Sequence, residues 1–239
     1  MALFTFWYGY DHSAPERMNN LSIQKEFDVA TLASLMKLDE QNIKLRFQGG
    51  NEAWVVRLED KPVSFGWLSR GRVRIGELSK EIDIPKGNAY LWNFRTLESY
   101  RGRGFYAQLL STILVEEKKI SKRVWVISAP ENQSSYNGIV KAGFQPVGDI
   151  MFDYKNEVVL LANSIDERTL AGADFIKVPI TTSAVRPCWR CVSKAMNREA
   201  SCDCYENNLP CRCNNQNLKT NAMDIQNNEL SAIISRPIL

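Results

Sequence analysis

Apolar and polar positions change period several times along the chain, and each change marks an element. Residues 3–10 carry five aromatics (Phe4, Phe6, Trp7, Tyr8 and Tyr10) in a short run, which suits a pleated surface and predicts a strand. Residues 11–20 read as loop. From Asp28 onward Val29, Leu32, Leu35 and Met36 recur at helical spacing with Asp28 placed as N-cap, predicting a helix to about Leu38. Gly49 and Gly50 end whatever follows it. The period then shortens: 53–58, the turn Glu59-Asp60-Lys61-Pro62 and 63–68 read as strand, turn, strand, with 73–78 a weaker strand that would continue the meander. Pro85-Lys86-Gly87-Asn88 is a turn signal before an aromatic-rich strand over 89–97. Phe105, Tyr106, Leu109, Leu110, Ile113 and Leu114 then fall on one helical face, and the helix ends in Glu116-Glu117-Lys118-Lys119, whose cations suit the dipole. A short buried strand over 124–128, a helix over 132–141 and two closing strands over 144–154 and 158–161 complete a mixed α/β domain over residues 1–162.

Composition adds bounds. Hydrophobic residues make up 44% of the 239 and charged residues 24%, which argues for a folded core. A net charge of +3 is too small to argue for nucleic acid, so any anion binding must be local. The single histidine, His12, leaves a Ser-His-Asp or Cys-His machine resting on one residue near the start, which disfavours that class. The opening residues lack a basic leader and a small-residue cleavage site, and nothing approaches the roughly 18–20 consecutive apolar residues of a membrane span. The expectation is a cytoplasmic protein with no membrane contact.

The passage Tyr100-Arg101-Gly102-Arg103-Gly104-Phe105-Tyr106 joins a strand directly to a helix. The first N–H groups of that helix have no intrahelical partner and converge where the dipole is positive, which suits an anion. Gly102 and Gly104 remove side chains that would block a ligand, and Arg101 and Arg103 add charge. The plainer reading is a tight turn with solvated arginines. No Gly-Lys-Ser/Thr follows, so it is not a P-loop, and the third glycine of the dinucleotide fingerprint is missing.

That passage resembles the acyl-CoA-binding motif of the GNAT superfamily of N-acyltransferases, which runs Arg or Gln, two residues, Gly, one residue, then Gly or Ala. Tyr106 at the last position departs from it. A second block matches downstream: Glu131-Asn132-Gln133-Ser134-Ser135-Tyr136 leads through a helix to Lys141-Ala142-Gly143-Phe144, as the family's Asn-initiated helix leads to Gly-Phe. The resemblance covers about two thirds of the chain and implies a GNAT-like mixed central sheet flanked by helices. By it, the amides of Arg103, Gly104, Phe105 and Tyr106 would hold the CoA pyrophosphate, the strand end at Arg95, Thr96 and Leu97 would bond the pantetheine arm, and Asn132 would fix the cofactor near its thiol. Asn132 also reads as a helix N-cap.

Acyl transfer to an amine needs a neutral nucleophile, donors that polarise the thioester carbonyl and a proton for the departing thiolate. The resemblance implies a Tyr five residues before Phe144, but Ile139 stands there. Tyr136, one turn earlier, is the candidate proton donor, against a packing role. Glu98 is the candidate base, against a solvated loop carboxylate. Trp7, Tyr8, Tyr10 and Trp92 are candidates to line an acceptor pocket, against a place in the core.

All six cysteines fall late, at Cys188, Cys191, Cys202, Cys204, Cys211 and Cys213. In a reducing compartment such clustering favours thiolate ligation, with zinc the leading metal, an iron–sulfur cluster, three disulfides (fifteen pairings) and free thiols being the alternatives. The expected layout is the acyl-CoA-binding domain at 1–162, a linker at 163–187, a cysteine-rich segment at 188–213 and a polar tail at 214–239. The expected activity is N-acyl transfer from acetyl-CoA or another CoA thioester to an amine. A protein partner or a second copy would be engaged through the C-terminal segment. The alternative is a domain that binds acyl-CoA without turnover and carries a metal-stabilised interaction module.

Overall fold

The computed structural model describes residues 1–12, 18, 20–129, 132–153, 155, 157–183 and 185. Along the chain run β1 (Ala2–Trp7), β2 (Leu21–Glu26), α1 (Val29–Met36), α2 (Glu40–Gln48), β3 (Glu52–Leu58), β4 (Lys61–Ser69), β5 (Arg72–Ile75), β6 (Lys80–Asp83) and β7 (Asn88–Thr96). There follow α3 (Phe105–Glu117), β8 (Arg123–Ser128), α4 (Gln133–Lys141), β9 (Gln145–Phe152), β10 (Val158–Leu161), α5 (Glu167–Ile176) and β11 (Ile180–Thr181).

Among the described residues nine strands make one mixed sheet in the order β11-β10-β9-β1-β8-β7-β4-β3-β2. Its neighbours are antiparallel except β7 with β8 and β10 with β11. Alternation sends successive side chains to opposite faces. On one face Phe4, Phe6, Trp54, Val56, Leu91, Val124 and Val126 meet Leu109, Leu110 and Ile113 of α3 and Ile139 of α4. On the other, Ala53, Val55, Phe65 and Trp67 meet Leu32 and Met36 of α1 and Ile43 of α2. Further along that face Leu3, Trp125 and Ile150 meet Phe175 and Ile176 of α5, with the Trp125 and Phe175 rings stacked 4.7 Å apart. Each such large side chain taken from water contributes up to about 3 kcal/mol, so the two faces together hold the sheet.

Helix starts follow the capping rule. Asp28, Asp39, Asn132 and Asp166 cap α1, α2, α4 and α5 through side-chain oxygens that accept backbone N–H groups of the first turn. The turn between β3 and β4 places Glu59 and Asp60 at φ 49° and 65°, the left-handed pair that matches the twist of a tight hairpin.

Three features differ from the sequence expectation. The 73–78 stretch does not extend the meander: β5 pairs with β6 in a separate two-stranded sheet, and Gly76–Leu78 form a 3-10 turn. Its alternating pattern fits a hairpin just as well as a sheet edge. β2 and α2 stand where no element was expected. The 163–187 stretch, expected to be a linker, holds α5 and β11, with Phe175 and Ile176 buried and β11 paired to β10. The cysteine-rich segment and the polar tail lie outside the described residues. Among the described residues no helix is long and apolar enough to cross a membrane.

Candidate active site

The two motifs singled out in the sequence meet where the sheet parts. β7 and β8 pair through four positions, from Asn88↔Arg123 to Leu91↔Val126, and the pairing then stops although β7 runs on to Thr96 and β8 to Ser128. β7 stays on β4: the Leu97 N–H donates to the Val63 carbonyl at 2.9 Å, and the Arg95 carbonyl accepts from Ser64 Oγ at 3.1 Å. Alternation therefore turns the peptide groups of Phe94 and Thr96 toward the gap beside β8. A strand edge left open in this way offers N–H and C=O groups to an extended ligand.

A bulge shapes the gap. The β4–β7 register shifts between Phe65↔Arg95 and Trp67↔Trp92, so Gly66 alone faces both Asn93 and Phe94. Asn93 takes φ 53°, a left-handed conformation that Asn tolerates better than most residues. Gly66 is required here, because a Cβ would run into the Phe94 ring.

At the end of β7 a 3-10 turn, Glu98–Tyr100, leads to the glycine passage. Gly104 at φ 81° stands at the N-cap of α3 with no side-chain cap, and Gly102 is at φ 76°. A Cβ built on either glycine would meet nothing within 4 Å. The opening N–H groups of α3 thus face open space at the positive end of the dipole. The two arginines fold back locally: Arg101 Nε donates to the Thr96 carbonyl at 3.3 Å, Arg103 donates to the Ser99 carbonyl at 3.3 Å, and its guanidinium lies 5.4 Å from the Tyr100 ring centre. Both are exposed, within reach of an anion at the turn.

The departure at Tyr106 is absorbed by its neighbours. The ring lies on Gly138 of α4, where a Cβ would come within 2.5 Å of it, and on Phe94 at 5.5 Å between centres. Ser135 Oγ donates to its hydroxyl at 3.4 Å. Burial pushes this phenol up to about 12, the Ser135 bond pulling modestly the other way, so it keeps its proton at neutral pH. The bulky residue at the end of the motif is thus housed by a glycine on the facing helix and does not cover the turn.

Of the remaining candidates, Asn132 Oδ1 accepts the Ser135 N–H at 2.9 Å, so it caps α4. Tyr136 sits on the first turn of α4, 37% exposed, with its ring edge-on to Phe4 at 5.1 Å. Ile139, where the resemblance implies Tyr, is fully buried in the core beneath α4. Glu98 is exposed at the end of β7. The four aromatics read as possible acceptor lining do not converge. Trp7 is buried with the guanidinium groups of Arg123 and Arg168 4.0 and 4.8 Å from its ring centre, Tyr8 donates to the Leu114 carbonyl at 2.6 Å, and Tyr10 is exposed. Trp92 alone lies beside the bulge. Sequence reasoning missed Arg46 and Asn93, whose side chains meet at that bulge; a positive-φ Asn inside an aromatic strand carries no one-dimensional signal. Among the described residues no group of His, Cys, Asp or Glu is placed to hold a metal ion, and the six cysteines read as ligands lie outside those residues.

A mixed sheet that parts at its central parallel pair, with an uncapped glycine-led helix over the gap, agrees with the family comparison. The sequence model of the Acetyltransferase (GNAT) family matches residues 20–144, and the chain belongs to that family of N-acetyltransferases. Among solved structures the chain is similar to a GCN5-related N-acetyltransferase from Kribbella flavida, at 15% identity over 61% of this chain and 53% of that one, TM-score 0.38. It thus spans about half the length of that protein. It is also similar to a GNAT family acetyltransferase from Elizabethkingia anophelis with acetyl-CoA bound, at 14% identity over 57% and 83% of the two chains, TM-score 0.42. A third, the ribosomal-protein-S18-alanine N-acetyltransferase from Escherichia coli, shares 14% identity over 56% and 83%, TM-score 0.42. No curated protein matches the chain.

Proposed function

We propose that the protein transfers an acyl group, acetyl in the first instance, from CoA to an amine, with the donor lying between the α3 N-terminus and the open edge of β7. The observation that carries this reading is the coincidence of three features at one place: the empty space over Gly102 and Gly104, the uncapped first turn of α3, and the edge at Phe94–Thr96 that no neighbouring strand pairs on the β8 side. Together they offer N–H donors for a pyrophosphate and a strand edge for an amide-containing arm, which is what the donor's chemistry demands. An acyl-CoA bound there supplies a carbonyl activated as a thioester.

The chain's own groups divide the remaining work. The amides of Arg103, Gly104, Phe105 and Tyr106 hold the phosphates with Arg101 and Arg103 alongside, and the strand from Arg95 to Leu97 aligns the arm. Asn132 does its capping and leaves its amide nitrogen for the donor. Tyr136 Oη holds the proton needed by the departing thiolate, and Glu98 takes the proton of the incoming ammonium. We propose further that the six cysteines of residues 188–213 bind zinc; protein purified without chelator then carries metal, and metal-free protein with oxidised thiols would overturn that part.

The test is CoA release over a panel of amines, with wild type and with Tyr136→Phe. Turnover that falls about 10²-fold in the variant at unchanged donor affinity is expected for a general acid; an equal rate would remove Tyr136 from the chemistry. Ile139 at the family's tyrosine position favours one other reading, a domain that binds acyl-CoA without turnover, and acetyl-CoA binding with no CoA release on any amine would select it.

A further inference from the structure

One charged side chain near the site is used by nothing described so far. Arg46 lies on α2, on the face of the sheet opposite α3 and α4, and is 2% exposed. Its guanidinium carbon stands 5.1 Å from the ring centre of Trp67 and 4.9 Å from that of Trp92. With the Asn93 amide turned as its neighbours require, Asn93 Oδ1 accepts from the two terminal nitrogens of Arg46 at 2.6 and 3.2 Å. Burial pulls the guanidinium down to about 10, which leaves it charged at neutral pH.

Burying an ionised group is costly unless its surroundings return the loss. Part of that return comes at the bulge. Trp92 and Asn93 are consecutive residues of β7 that both reach Arg46, which happens where an extra residue interrupts alternation. Asn93 is the bulge residue with positive φ, a conformation that Asn tolerates but that a fixed partner holds against extended alternatives. A two-pronged guanidinium fixes a planar amide in direction as well as in distance, which an ammonium does not. Immediately after Asn93 come Phe94 and Thr96, the residues whose peptide groups face the gap.

We infer that Arg46 is a positioning residue for the donor site: it clamps Asn93 from the opposite face of the sheet, and so holds the bulge that turns the β7 edge away from β8 and toward the ligand. The inference rests on the donor site proposed above. It assigns α2 a part in donor binding although no atom of that helix need touch the donor.

The experiment measures acetyl-CoA dissociation constants by titration calorimetry, with melting temperatures in parallel, for wild type, Arg46→Met, Arg46→Lys, Asn93→Gly and Arg46→Met/Asn93→Gly. Glycine adopts positive φ unaided, so it makes the clamp dispensable. Arg46→Met should weaken acetyl-CoA binding about tenfold in the wild-type background and less than about twofold in the Asn93→Gly background, a coupling that ordinary packing loss does not produce. Arg46→Lys, which keeps charge and length if the methionine variant fails to fold, should still weaken binding by about threefold or more. A lowered melting temperature with unchanged affinity, or the same affinity loss in both backgrounds, overturns the inference. Wild type that does not bind acetyl-CoA breaks the donor-site reading itself, whereas wild-type binding equalled by Arg46→Met and Arg46→Lys breaks only the clamp.

Discussion

The two ends of α3 are built on opposite terms. At its start, Gly104 offers no side chain, nothing caps the first turn and the surrounding space is open. At its end, Glu117 has a side chain 1% exposed, pairs with Arg70 and accepts from Ser121 Oγ at 2.7 Å. Arg70 also bonds Glu52 at 2.7 Å, and Glu52 pairs with Lys25 at 2.9 Å. A carboxylate near a helix C-terminus is opposed by the dipole, and the Arg70 charge and the Ser121 hydroxyl offset that cost for Glu117. The difference teaches how one helix serves two needs. The saturated end anchors it to β3 and β4, and that anchoring lets the other end keep its N–H groups unspent.

The largest effect is expected at the saturated end. Glu117→Ala leaves Arg70 partly buried against a lost partner and should cost about 3 kcal/mol, read by urea unfolding, while acetyl-CoA affinity of the folded fraction stays near wild type. An affinity loss as large as the stability loss would show that the two ends are not separable. Next, Gly104→Val forces a branched side chain into φ 81° and should cost about 1–2 kcal/mol, yet it should weaken acetyl-CoA binding by more than tenfold. Stability loss without loss of binding would mean that the open end holds no anion.

A smaller effect concerns the housing of Tyr106. Gly138→Ala gains helix propensity but overpacks the ring, for a net loss of about 1 kcal/mol in chemical denaturation. The same change made with Tyr106→Ala should stabilise relative to Tyr106→Ala alone, and a loss in both backgrounds would refute the pairing. The smallest effect is a pH dependence. Burial alone would raise Glu52, but hydrogen bonds from Arg70 and Lys25 and their charges outweigh it and hold the carboxyl below its ordinary 4.5. A depressed folded value means that the contribution is complete above the unfolded value and is lost as pH falls through the folded one. Stability should therefore decline below about pH 4.5, and less steeply in Arg70→Met; an identical slope in that variant would remove the network from the account.

Much of this architecture is legible in one dimension because its core faces are apolar at regular intervals. The strands β1, β3, β4, β7 and β8 and the helices α1, α3 and α4 follow from aromatic runs, turns and helical spacing. α2 is not legible for the reason that makes it interesting: its buried face includes Asn42 and Arg46, so its periodicity is broken by polar residues. β2 is an edge strand of mixed character, with Ser22 and Gln24 alternating with Leu21 and Ile23. At the site, the glycine passage and Asn132 are visible because turns and caps leave residue signatures. The bulge at Asn93 is invisible because it depends on Gly66 of a neighbouring strand and on a cation arriving from another helix. The Glu116-Glu117-Lys118-Lys119 ending reads as a dipole-matched terminus, yet Glu117 is buried and is its anchor.

The four paired positions between β7 and β8 have a mechanical meaning. Among the described residues they are the only strand pairing that joins the β2-β3-β4-β7 half of the sheet to the β8-β1-β9-β10-β11 half, and every rung lies on one side of the gap. The sheet is therefore seamed rather than continuous, with α3 and α4 strapped across the seam on one face. A molecule lying in the gap and bonding both margins would supply the rungs the sheet lacks, so its arrival should be felt as slowed amide exchange along β7 and β8 together. In this fold the place proposed for the donor is also the place where the two halves of the sheet are least sewn together.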